Sequence, residues 1–151
     1  MRALILISSM ISFSVFACPD LSGTYQVCTN SNGQESEMSK VVIEQKVINK
    51  ITHYTIRSQD PVSGDEREEN YIADGKLKIT STTDSDTGTV VRTETRASCQ
   101  SNFLNLSLGV TIDGQSLAKI ATKVSKEGSA LIQVFSGDSM GEAVSYTSVC
   151  Q

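Results

Sequence analysis

Tryptophan is absent from this chain, proline occurs only as Pro19 and Pro61, and His53 is the only histidine. No nucleophile elbow, zinc-protease helix or phosphate-binding loop is present, and no serine or cysteine stands in a recognisable pairing with His53. A surface or rim position for His53 is therefore favoured over a role as a general base. We expect a protein that is not an enzyme and needs no cofactor. A carboxylate pair for glycoside hydrolysis is the open alternative, because acidic residues are plentiful although no motif marks such a pair.

Long apolar runs are also scarce, and the one that exists is at the N-terminus. Residues 3–16 carry no charge, follow Arg2 and end before the small residue Ala17. This pattern predicts a cleaved signal peptide over residues 1–17 and export, either to the periplasm or as a secreted protein. The run is too short to span a bilayer and no second run follows, so no transmembrane helix is expected. Because Cys18 stands immediately after the expected cut, a lipid anchor on that cysteine is the alternative.

Clusters of basic residues are missing too. The chain has 13 Lys and Arg residues against 17 Asp and Glu residues, which gives a net charge of −4. An acidic protein without basic clusters is not expected to bind nucleic acid or anionic membrane surfaces. No linker or shift of composition divides residues 18–151, which are enough for one domain with its own core. We expect a monomer whose partner is a small-molecule ligand or a basic protein target.

The four cysteines are Cys18, Cys28, Cys99 and Cys150, and an even number in an exported chain predicts disulfides. Their spacing matches no zinc-binding pattern. The acidic turn at residues 84–88 contains residue types that bind calcium, but Asp and Gly are also the usual residues of turns. We therefore predict two structural disulfides and no metal site.

Short alternating segments make up most of the chain after the first 17 residues. In the clearest one, residues 104–112, five apolar residues alternate strictly, so one face of that strand should lie on a core. Turn residues follow most segments, and Asp74-Gly75 is the strongest hairpin signal. We predict an all-β fold: one antiparallel meander barrel of about 8–10 short strands, disulfide-bonded, with the first strand (residues 23–28) beside the last. An open two-sheet sandwich is the alternative.

The number of strands between two cysteines, odd or even, indicates whether they lie at the same rim and can pair; we call this strand parity. In a ten-strand meander, the start of the first strand, the turn near Cys99 and the end of the last strand lie at one rim. Ten residues of extended strand span about 33 Å, so Cys18 and Cys28 cannot bond unless the chain folds back between them. Of the three possible connectivities, this argument favours Cys18–Cys99 together with Cys28–Cys150.

The segment Leu21-Ser-Gly23-Thr-Tyr25, at the start of an exported antiparallel barrel, resembles the Gly-x-Trp motif that opens the first strand of lipocalins and avidins. Avidin-like chains also place a cysteine just before that motif, as Cys18 is placed here. The resemblance implies a calycin-like barrel that holds a small ligand in its mouth; Tyr25 stands where those families carry Trp. Separately, Tyr25-Gln-Val-Cys28 together with Cys150 resembles bacterial periplasmic lysozyme inhibitors, which are small disulfide-bonded barrels.

The aromatic side chains are the candidate walls of a ligand site, with core filling as the alternative interpretation. The set consists of Tyr25, Tyr54, Tyr71, Phe103, Phe135 and Tyr146. The arginines Arg57, Arg92 and Arg96 are candidates to neutralise an acidic head group of such a ligand.

Two functions follow from the sequence. The first is a binding barrel with an apolar ligand in its interior. The second is an inhibitor or envelope interaction module that acts through the loops at residues 29–38 and 58–69, because an acidic loop suits a basic target such as lysozyme.

Overall fold

The computed structural model describes residues 17–32 and 38–151, so the predicted signal peptide lies outside the described residues except for Ala17. The described part is built of antiparallel strands without a helix, which confirms the predicted all-β class. Accordingly, it contains no helical segment able to cross a membrane. The strands are β1 (Gly23–Tyr25), β2 (Cys28–Asn30), β3 (Lys40–Ile48), β4 (Ile51–Gln59), β5 (Glu66–Ile72), β6 (Leu77–Thr83), β7 (Val90–Gln100), β8 (Phe103–Ile112), β9 (Gln115–Glu127), β10 (Ala130–Ser139) and β11 (Glu142–Cys150).

These strands form two sheets, and the predicted closed barrel is wrong. Sheet A has the order β1-β3-β4-β5, and sheet B has the order β2-β11-β10-β9-β8-β7-β6. From β3 onward the strands of each sheet follow chain order, as in a meander. The edge strands β5 and β6 are not paired with each other. Strand β5 begins with the charged run Glu66, Arg67, Glu68 and Glu69, and an edge rich in charge resists further pairing.

The two sheets are joined through the first strand of the chain, which is split into β1 and β2. Strand β1 pairs with β3 in sheet A, whereas β2 pairs with β11 in sheet B. At the split, the backbone N–H groups of Gln26 and Val27 both donate to the Gln151 carbonyl oxygen, at 2.7 and 3.4 Å. The Gln151 N–H donates back to the Val27 carbonyl oxygen at 3.1 Å. The first strand therefore does lie beside the last, and it changes sheets as it does so.

Asp74-Gly75 does not form the predicted hairpin, because β5 and β6 belong to different sheets. The Ala73 N–H donates to the Thr52 carbonyl oxygen in sheet A, and two residues later the Gly75 N–H donates to the Ala97 carbonyl oxygen in sheet B, each at 2.9 Å. Gly75 has a φ of 74°, which glycine adopts without strain. The turn thus carries the chain from one sheet to the other, and β5 and β6 then follow different partners.

The core lies at one end of the two sheets, which we call the closed end. Its fully buried side chains include Leu21, Leu104, Val124 and Leu131. Both disulfides are here, Cys18–Cys99 with Cα atoms 5.0 Å apart and Cys28–Cys150 with Cα atoms 4.0 Å apart. They are the two pairs that strand parity favoured.

The segment that precedes β1 covers the closed end. The Tyr54 hydroxyl of sheet A donates to the Pro19 carbonyl oxygen at 2.7 Å, and the Tyr25 hydroxyl donates to the Leu21 carbonyl oxygen at 2.9 Å. From sheet B, Lys126 Nζ donates to the Ser22 carbonyl oxygen at 3.0 Å. Residues 18–22 therefore contact both sheets.

The opposite end, which we call the open end, carries the turns that follow β4, β6, β8 and β10. Residues 58–69 were predicted as one long loop, but the strands β4 and β5 extend into that range and leave only residues 60–65 as the turn. Asp60 Oδ1 accepts the N–H groups of Val62 and Ser63 at 2.8 Å, which fixes this turn. In the other predicted loop, residues 29–38, the first two residues belong to β2, and residues 33–37 lie outside the described part.

Candidate ligand-binding cavity

A cavity of about 1340 Å³ lies between sheet A and sheet B. It extends from the edge of the core, at Ile56 and Val124, to the turns of the open end, at Pro61 and Met140. One face of strand β8 contributes side chains to both the core and the cavity. Leu104 is fully buried in the core, whereas Leu106 and Leu108, which follow on the same face, line the cavity.

An aromatic pair forms part of the sheet B wall. Phe135 and Tyr146 are directly opposite each other in the β10–β11 ladder, and their rings stack with centroids 4.6 Å apart. Such stacking adds about 0.5–1.5 kcal/mol to the burial of the rings. The pair offers a flat apolar surface to the cavity.

The facing wall of sheet A presents Tyr71 and Glu69. The Tyr71 hydroxyl donates to Glu69 Oε2 at 2.8 Å, and both side chains line the cavity. Burial is the main reason why the pKa of Tyr71 is raised, and the Glu69 charge adds to it. Tyr71 therefore stays neutral and keeps the carboxylate of Glu69 in place on the wall.

Gln133 lines the same cavity and is only 5% exposed. Its Oε1 makes no hydrogen bond within the described residues, and neither does the Oγ of Ser148, its direct neighbour across the β10–β11 ladder. A buried polar atom without a partner costs about 1–3 kcal/mol. The terminal torsion of glutamine is broad, so a modest rotation turns this amide toward the cavity. The cavity thus contains a polar group that a ligand can satisfy.

The charges on the cavity wall are mostly negative. Among the described residues that line it, five are acidic and Arg67 is the only basic one, for a net charge of −4. The acidic residues are Asp60, Asp65, Glu66, Glu69 and Glu142.

The arginines named in the sequence analysis are not on this wall. Arg57 contacts Glu44 and Glu68 at 2.6 and 2.8 Å, and Arg92 contacts Glu94 at 2.7 Å. Arg96 lines a second, smaller cavity.

Three of the six aromatic residues predicted to bind a ligand line the large cavity: Tyr71, Phe135 and Tyr146. The other three lie elsewhere. Tyr25 and Tyr54 are buried in the core, with their hydroxyls hydrogen-bonded to backbone carbonyls. Phe103 is 42% exposed at the closed end and lines neither cavity.

The second cavity, of about 420 Å³, lies where β5 and β6 diverge. It is lined by Tyr54 and Tyr71 from sheet A and by Lys78 and Arg96 from sheet B. His53 also lines it. This space follows directly from the unpaired edges of the two sheets.

No group of three or more potential metal-ligating His, Cys, Asp or Glu residues occurs among the described residues. In the acidic turn at residues 84–88, Asp84 Oδ1 accepts the N–H groups of Asp86 and Thr87 at 3.0 and 2.8 Å and also the Thr87 hydroxyl at 2.9 Å. These hydrogen bonds lower the pKa of Asp84. The carboxylate thus has a structural role within its own turn.

The chain matches no protein-family model, no curated protein and no solved structure.

Proposed function

We propose that this protein is an exported carrier that holds a small, largely apolar ligand between its two sheets. The observation that carries the proposal is the cavity of about 1340 Å³ with an aromatic wall. Pockets for small ligands usually measure about 300–1,000 Å³ and are lined mainly by apolar side chains with a few polar ones. This cavity is larger and about half of its lining residues are polar, but its inner part, where Leu106, Phe135 and Ile56 accompany the buried Gln133, fits that description.

Two disulfides in one small domain suggest an environment outside the cytoplasm. The sulfur of Cys18 is bonded to Cys99, and a lipid anchor would need the same sulfur for its thioether. We therefore propose that the mature chain, residues 18–151, is exported as a free protein.

The relationship to calycins remains part of the proposal. It is supported by the antiparallel meander and by the Gly23-Thr-Tyr25 motif, which forms β1, the first strand of the chain. The split first strand and the unpaired edges of β5 and β6 set this chain apart from a closed calycin barrel.

The test compares two tryptophan substitutions on β8. Leu108→Trp places a large ring in the cavity, whereas Phe103→Trp places the same ring at the closed end; the two residues are 40% and 42% exposed. We expect the neutral fluorescent probe N-phenyl-1-naphthylamine to bind the wild type and Phe103→Trp, and to bind Leu108→Trp at least about tenfold more weakly because the space is filled. Equal binding by both variants, or no binding by the wild type, would contradict a carrier.

A second candidate is an interaction module that binds a basic protein. The turns at the open end, residues 60–65, 84–88, 113–114 and 140–141, contain five Asp residues and no Lys or Arg. Such a surface attracts a basic protein and raises its rate of association. Under this alternative, Asp65→Lys together with Asp86→Lys would weaken capture of basic partners such as lysozyme, and probe binding in the cavity would be absent.

A further inference from the structure

The position of the charges on the cavity wall indicates what kind of ligand the cavity accepts. In sheet A, Glu69 pairs with Ile56 in the β4–β5 ladder, and both side chains line the cavity. Glu68, the next residue along the strand, lies on the opposite face and contacts Arg57. The sequence therefore turns one solvent-exposed carboxylate toward the cavity and gives the neighbouring carboxylate a cationic partner on the other face.

The cavity-facing carboxylate of Glu69 is positioned beside aromatic surface. Tyr71 donates its hydroxyl hydrogen to Glu69, and the sheet B wall carries the stacked rings of Phe135 and Tyr146. Carboxylates and aromatic faces both attract cations. Arg67, on the same face of β5, is the only basic group on the wall within the described residues.

Gln133 marks the inner limit of the site. It lies six residues from the end of β10, or about 20 Å in from the open end, whereas Glu69 lies three residues, or about 10 Å, from the start of β5. Measured along their own strands, the buried amide is therefore farther from the open end than the carboxylate, and Phe135 lies between Gln133 and that end of β10. A ligand that satisfies both must be elongated.

We infer that the ligand is an elongated amphipathic cation, with an ammonium group near Glu69, an apolar body against Phe135 and Tyr146, and a hydroxyl or amide N–H that donates to Gln133. This inference rests on the proposed carrier function and specifies its ligand class. It excludes fatty acids and other anionic amphiphiles, because the net charge of the wall is negative.

The experiment uses four probes that share a twelve-carbon chain, measured by isothermal titration calorimetry at low salt. They are 12-amino-1-dodecanol, dodecylamine, 1,12-dodecanediol and 12-hydroxydodecanoic acid. We expect 12-amino-1-dodecanol to bind most tightly and the hydroxy acid most weakly. Dodecylamine lacks the hydroxyl and the diol lacks the charge, so each removes one of the two proposed contacts.

Variants of the protein assign each contact. Glu69→Gln keeps an acceptor for the Tyr71 hydroxyl but removes the charge, and we expect it to weaken the two ammonium probes about two- to fivefold while leaving the diol unchanged. Glu68→Gln is the matched control, since it removes the same charge from the other face of the same strand, and it should leave all four affinities unchanged. Gln133→Leu should weaken 12-amino-1-dodecanol about three- to tenfold and dodecylamine much less. Gln133→Met serves the same purpose if the leucine variant does not fold.

The outcomes separate this inference from the carrier proposal. If N-phenyl-1-naphthylamine binds but the hydroxy acid equals or exceeds the ammonium probes, the carrier stands and the cationic ligand is wrong. The same conclusion holds if Glu69→Gln and Glu68→Gln have equal effects, or if N-phenyl-1-naphthylamine binds and none of the four probes does. If neither the neutral probe nor any of the four binds, both proposals fail.

Discussion

The hydroxyl of Tyr54 connects the chain's first described residues to sheet A. It donates to the Pro19 carbonyl oxygen, and its ring is 1% exposed. Burial is the main reason why the pKa of Tyr54 is raised, and the nearby charge of Asp20 adds to it. The side chain therefore remains protonated in the folded protein at a pH where it ionises in the unfolded chain.

This raised pKa gives a pH-dependent prediction. The protonated hydroxyl stabilises the fold fully below the unfolded pKa of about 10, and that contribution is lost as the pH rises toward the higher folded pKa. Tyr54→Phe should lower the free energy of unfolding by about 1–2 kcal/mol at neutral pH, because a buried hydrogen bond is lost. Urea denaturation at about pH 9 and pH 11 should show the difference between wild type and variant shrinking by about 1 kcal/mol per pH unit above 10. A difference that stays constant or grows would contradict this account.

Gln133 is a cavity residue that the sequence did not identify. Within β10, the apolar residues Ile132 and Val134 suggest one inward face, but the structure buries Leu131 and Gln133 instead and leaves Val134 42% exposed. The ladder with β9 and β11 decides which face is inward, and that pairing is not encoded in the local pattern. The only local indication was a glutamine between two apolar residues, and its role cannot be inferred until the facing sheet is known.

Strands β9 and β10 approach closely at Gly137. Its φ is 151°, and a Cβ built on it would overlap the Lys119 carbonyl oxygen of β9. Gly109 on β8 is also inside a strand, but the nearest atom to a Cβ there is the Glu94 Cβ at 3.6 Å. One glycine is therefore required by the backbone of the next strand, and the other is not.

This difference predicts unequal effects of two alanine substitutions. Gly137→Ala should lower the free energy of unfolding by about 2–4 kcal/mol, because the β9 backbone must move or the residue must adopt a strained conformation. Gly109→Ala should change it by less than about 0.5 kcal/mol or increase it. Thermal and urea unfolding of both variants measure this, and a tolerated Gly137→Ala would show that the two strands can separate without cost.

For the strands, the sequence predicted local structure but did not predict which strands pair with each other. Alternation located β8, and strand parity gave the disulfide pairs, because both follow from the period of an extended chain. Asp74-Gly75 is a residue pair typical of hairpin turns, yet the strand that follows it, β6, pairs with β7 and not with β5. A turn motif determines how the chain bends, but it does not determine which strand the next segment pairs with. The cavity depends on the separation of the two sheets, which no local pattern specifies.

Stability is distributed unevenly over the whole molecule. The closed end has the core, the covering segment at residues 18–22 and both disulfides, whereas the open end has the cavity and exposed turns. Cys150 is fully buried, and its bond with Cys28 spans 122 residues of sequence, compared with 81 for Cys18–Cys99.

Removal of the two disulfides should therefore have ranked effects. Each Cys→Ala pair should lower the free energy of unfolding by about 2–5 kcal/mol, since long closed loops are released in the unfolded chain. Cys28→Ala with Cys150→Ala should cost more than Cys18→Ala with Cys99→Ala, because it also leaves a void beside a fully buried residue. Urea unfolding of the two double variants tests the ranking, and the reverse order would mean that the covering segment contributes more than the strand junction.

The hydrogen bonds of Gln151 at the split between β1 and β2 set an order of events during biogenesis. Because Gln151 completes the junction that begins at residue 26, the two sheets cannot be joined there before residue 151 has been synthesised. Either sheet can form local hairpins earlier, but the junction between the two sheets closes only when residues 26–27 and residue 151 meet.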